Sequence, residues 1–66
     1  MNSIDDVIRF YEGLNADERE IFRIGINYER GVNPQSTKLD NWLYGVSVVQ
    51  ADRAGEEYPE PIKENE

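Results

Sequence analysis

Three arginines, Arg19, Arg23 and Arg30, recur near one line of a single helical segment, and they are the first residues whose type and spacing could do chemistry. From Arg19 to Arg30 a helix rises about 16 Å at ~1.5 Å per residue. Three guanidinium forks on one face could grip phosphates or a partner's carboxylates. The plainer alternative is a solvated face that balances Asp5, Glu12 and the acidic C-terminus, the ordinary state of charged residues on an amphipathic helix. A second set, Tyr44, Val48 and Ala51, gathers about 120–180° around a later helix from Leu39. Exposed, that side would mark a partner or dimer interface; if the helix lies deeper, both of its sides are core. Tyr58 opens Tyr58-Pro59-Glu60-Pro61, which reads either as a short extended recognition segment or as a solubilising end.

Catalysis has little to work with. The sequence holds no histidine and no cysteine, so the usual zinc ligand sets and thiol or imidazole chemistry are missing. An enzyme built from carboxylates, Lys, Tyr or Ser would need a pocket, and a thin bundle of 66 residues offers little concavity. There is no Gly-rich phosphate loop, Ser-centred nucleophile turn or calcium-loop spacing. The expectation is a non-enzymatic protein with no cofactor and no metal.

A single domain of this size buries only about 60% of the surface its unfolded chain exposes. With neither disulfide nor metal to staple it, helix packing must carry the fold. The formal charge is −7, and it divides unevenly: residues 1–55 hold nine acids and six bases, residues 56–66 five acids and one base. An acidic balance disfavours nucleic acid and anionic membrane and favours basic partners. No apolar run approaches the ~20 residues of a membrane span, and Met1 leads into an acidic amphipathic pattern. The expected setting is cytoplasmic, without a membrane.

The elements that must position these residues are legible as an all-α, small three-helix bundle with a disordered acidic C-terminal tail. Helices are expected at about 4–13, 16–30 and 37–54, forming a domain over 1–55, followed by a mobile Pro-containing tail over 56–66. Ser3, Asn15 and Thr37 are each followed three residues later by an acid, the spacing of an N-cap and a capping box. Ile4, Val7, Ile8, Tyr11 and Leu14 make one helical stripe. In the second segment Ile21, Phe22, Ile24, Gly25, Ile26 and Tyr28 span an arc of about 200°, too wide for one neighbour. That breadth predicts a central helix wedged between the other two and stopped by a left-handed Gly31. Leu39, Trp42, Leu43, Val46 and Val49 give the third stripe, although the β-branched run Val46-Ser47-Val48-Val49 also suits a strand. A lone strand would have no partner.

The leading functional expectation is a small acidic helical protein that binds a protein partner and blocks or recruits it. An inhibitor of a nucleic-acid-binding protein is one version, limited because duplex DNA carries a charge every ~1.7 Å while this chain nets −7. Two alternatives stand beside it. One is a helix-turn-helix DNA-binding or regulatory protein, with Gln35, Lys38 and Asn41 near the start of its third helix, opposed by Asp40 and the overall charge. The other is an oligomeric structural or assembly subunit, a homodimer being its simplest form.

Overall fold

The structure is a computed structural model that describes residues 3–61. It contains three helices, α1 (Ile4–Glu12), α2 (Ala16–Val32) and α3 (Lys38–Ala54), and no strand among the described residues. Each begins where the caps are written. Ser3 Oγ accepts the Asp6 N–H at 3.4 Å; Asn15 and Glu18 close a capping box at 2.8 and 3.2 Å, and Thr37 and Asp40 close another at 3.1 and 3.3 Å. These bonds satisfy N–H groups that the first helical turn leaves without carbonyl partners.

The second helix does not stop at Gly31. It runs to Val32 and is capped by Asn33, whose N–H donates to the Glu29 carbonyl at 2.8 Å. Pro34 follows, and its restriction on the preceding residue is a sufficient stop. Gly55, at φ 70°, is the left-handed glycine that ends α3, and Glu56 N donates back to the Ala51 carbonyl at 2.9 Å in the manner of a Schellman cap.

The hub of the bundle is α3, a correction to the wedged position expected for α2. Its principal partner is α2, it meets α1 more lightly, and α1 and α2 approach each other least. The reason lies in side-chain size. Around α3 the buried residues are Asn41, Gly45, Val46, Val48, Val49 and Ala51, small enough on every side for neighbours to come close. The β-branched run is helical because Val46, Val48 and Val49 are all core, and the burial of tertiary packing outweighs a modest propensity cost. Ser47 within it returns its hydroxyl to the Leu43 carbonyl at 3.1 Å. In α1 only Val7 is buried; Ile4 and Ile8, expected in the stripe, are 38% and 41% exposed. Phe22 anchors the middle, edge-on to Tyr11 at 5.3 Å between ring centroids.

Arg53 ties the ends together. Its Nε lies 2.6 Å from Glu18 Oε2 at the start of α2, and its guanidinium carbon is 5.4 Å from the centre of the Phe10 ring on α1. Beyond Gly55 the chain forms neither helix nor strand, and residues 56–61 lie back along α3. Tyr58 Oη donates to Asp52 Oδ1 at 3.1 Å, Tyr44 Oη donates to the Pro59 carbonyl at 2.6 Å, and Pro61 is buried. The rest of the expected tail, 62–66, lies outside the described residues. No helix among those described is long and apolar enough to cross a membrane.

Candidate functional site

The returning segment turns part of the bundle surface into a groove. Ile21, Ile24 and Tyr28 of α2 form one wall, Tyr44 and Val48 of α3 the floor, and Tyr58 with Pro59 the far wall, enclosing about 360 Å³. The α2 wall stands out because Gly25 lets α2 sit close on α3: a Cβ there would meet Val48 Cγ2 at 3.2 Å. The next residues outward, Ile24 and Tyr28, are left 57% and 50% exposed, and Tyr58 is 54% exposed. Large apolar side chains in one such cluster are a stronger sign of an interaction surface than the same residues scattered singly.

An acidic trough of about 310 Å³ continues the groove past Tyr44, Pro59 and Glu60, with Glu29 and Asp40 in its lining. Glu29 is buried at 5% exposure and accepts from Asn33 Nδ2 at 3.3 Å through both carboxylate oxygens. Among the described residues no lysine or arginine lines either hollow. Burial is the first cause holding the Tyr44 phenol above its ordinary pKa, and Tyr28, Glu60 and Glu29 add to it. With Glu29, Asp40 and Glu60 in its lining and no base among the described residues beside them, the trough favours a cation over an anion. No group of three or more carboxylates among the described residues is arranged to hold a metal ion.

Of the residues singled out from sequence, the groove unites Tyr44, Val48 and Tyr58. Val48 and Ala51 are not spare surface; at 4% and 9% exposure both are core. Tyr44 is half-buried, its ring centroid 6.4 Å from that of Tyr28. The arginines do not act as a set. Arg19 stacks 5.0 Å over the Tyr11 ring and donates to the Glu12 carbonyl at 3.3 Å, closing the α1–α2 corner. Arg23 pairs with Glu20 at 2.6 Å in solvent, and Arg30 borders a separate hollow with Lys38 and Trp42. Asn41, near the start of α3, is buried and takes the Ser36 hydroxyl at 2.7 Å instead of facing outward.

From sequence, Ile24 and Tyr28 read as core and Pro59 and Glu60 only as part of the Tyr58–Pro61 segment; the structure brings all four to the groove. The signal for the first two was the width of the apolar arc on α2, which was assigned to a second helix but is left open beside one. No family model matches the chain, and neither curated proteins nor solved structures provide a match.

Proposed function

We propose that the protein is a non-catalytic binding module that docks a protein partner in the groove between α2, α3 and residues 56–61, and so blocks or recruits that partner. The observation that carries this reading is the half-exposed cluster of Ile24, Tyr28 and Tyr58 around an apolar floor. Burying such a cluster yields about 25 cal/mol per Å² of apolar surface, and aromatic residues in a hollow are the usual anchors of protein interfaces. The adjoining carboxylates, Glu60 and Asp40, select a partner that brings positive charge with its apolar anchor. An enzyme is disfavoured because two of the three groove phenols are engaged, Tyr44 by the Pro59 carbonyl and Tyr58 by Asp52, and the chain has neither histidine nor cysteine to serve as base or nucleophile.

Photo-crosslinking tests the reading. A photoreactive residue at position 24 in cells that express the chain is expected to give a discrete protein adduct that Tyr28→Asp removes, whereas the same group at exposed Asp17 gives none. Equal labelling from both positions, or no adduct from position 24, overturns it.

A further inference from the structure

The side of the molecule turned away from the groove is its complement. About α2, Ile21, Ile24 and Tyr28 are centred roughly 160° from Arg23, Ile26 and Arg30, taking ~100° per residue. About α3, Asp40 and Tyr44 stand at a similar angle from Lys38 and Trp42. The far side carries two hollows, of about 270 and 340 Å³, that share Ile26 and Trp42. Ile8, 41% exposed, borders the first. The charged residues lining them are Arg23, Arg30 and Lys38, with no carboxylate among the described ones, and Lys38 Nζ sits 5.0 Å over the Trp42 ring. One side thus offers projecting apolar residues with acids, the other apolar hollows with bases.

We infer that the groove of one copy seats the Trp42–Ile26 side of a second copy, an assignment that rests on the groove being a docking site. Ile24 and Tyr28 enter the hollow beside Ile8 and Ile26, while Arg30 and Lys38 face Glu60 and Asp40. The contact is heterologous: each copy uses its groove once and its basic side once, so association does not stop at two. A two-fold pairing of groove with groove would set Glu60 and Asp40 of both copies against each other, and pairing of the basic sides would oppose Arg30 and Lys38.

Sedimentation equilibrium on the full chain decides it. The wild type is expected to exceed twice its 7.7 kDa mass as concentration rises, and to associate several-fold more weakly when salt is raised from about 0.05 to about 0.5 M. Ile24→Asp and the double variant Arg30→Glu/Lys38→Glu alter exposed positions; each is expected to remain at 7.7 kDa with unchanged helical circular dichroism. Mixed in equal amounts they are expected to give a species of twice the mass and no larger, since one retains a working basic side and the other a working groove. A wild type that stays monomeric, or one that stops at a dimer which the mixture does not restore, overturns the self-pairing. If position 24 still crosslinks a different protein in that case, the groove remains a docking site and only its occupant is wrong.

Discussion

Gly25 and Gly45 face each other where α2 meets α3, close enough that a Cβ on Gly25 would stand 3.4 Å from the Gly45 Cα. This approach sets the depth of the groove, because it fixes how far Ile24 and Tyr28 stand out from the floor. A Cβ on Gly45 would lie 3.1 Å from the Phe22 carbonyl oxygen and from two carbons of its ring. Backbone cannot give way without shifting the helix. Gly45→Ala is therefore expected to lose about 1–3 kcal/mol from overpacking, only partly offset by the up to ~1 kcal/mol of helix propensity that alanine adds. Urea unfolding followed by circular dichroism measures the balance. Gly25→Ala should lose less, as its tightest neighbour is the Val48 side chain. A neutral or stabilised Gly45→Ala would show that the helices part easily at this point.

Gly31 provides the opposite case. It lies inside α2, one residue from its end, with nothing within 4 Å of an added Cβ and no positive φ. Gly31→Ala is expected to stabilise the protein by a few tenths to about 1 kcal/mol through helix propensity and a less flexible unfolded chain. The thermal midpoint should rise by a few degrees. A fall would mean that α2 ends earlier than Val32.

These three glycines show where sequence was informative and where it was not. Helix starts were legible because a cap and its partner sit three residues apart, and Asn15–Glu18 and Thr37–Asp40 close in the structure as their spacing requires. Gly31 misled because a glycine near a helix end has two uses, and only the downstream Asn33-Pro34 tells them apart. The identity of the hub was hidden for a different reason. Periodicity reports how wide an apolar arc is but not how close a neighbour can come, and closeness here depends on Gly25 meeting Gly45. The groove was half legible: Tyr44, Val48 and Tyr58 were singled out, but Tyr58 and Pro59 reach it through the 15-residue return from Tyr44 to Pro59, a long-range contact that no local pattern encodes.

That return is held in part by one hydroxyl. Tyr44→Phe removes the donor to the Pro59 carbonyl while keeping the ring that faces Tyr28. A typical hydrogen bond contributes about 0.5–1.5 kcal/mol, so global stability should drop by no more than that. The larger change is expected locally, as faster amide exchange and altered chemical shifts over residues 56–60. The wild-type phenol also makes a signed prediction. Its folded pKa is raised, chiefly by burial, so the stability linked to its neutral form is present below the ordinary tyrosine value and is lost as pH rises through the folded one. Tyr44→Phe should flatten the alkaline fall in stability above about pH 10. An unchanged exchange pattern would show that Pro61 and the Tyr58–Asp52 bond hold the segment without Tyr44.

The ion pair between Glu18 and Arg53 links the start of α2 to the end of α3, and it should give the acid side of the stability curve part of its slope. The Arg53 hydrogen bond is the first cause holding the Glu18 carboxyl below its ordinary pKa, and the Asn15 backbone N–H is the second. A depressed carboxylate contributes stability that is full above its unfolded pKa and is lost as pH falls through the folded one. Glu18→Gln removes the charge and keeps one acceptor oxygen of the two that Asn15 and Arg53 use separately, as the protonated carboxyl also does. It should be less stable than the wild type near pH 7, and the two thermal midpoints should converge as pH is lowered from about 5 towards 2, where the wild-type carboxyl becomes neutral as well. Because the Arg53 side chain is 47% exposed, added salt should narrow the difference at neutral pH. A gap that stayed constant across pH would instead place the loss in the capping geometry at Asn15, since only the charge of Glu18, and not its shape, is titrated over that range.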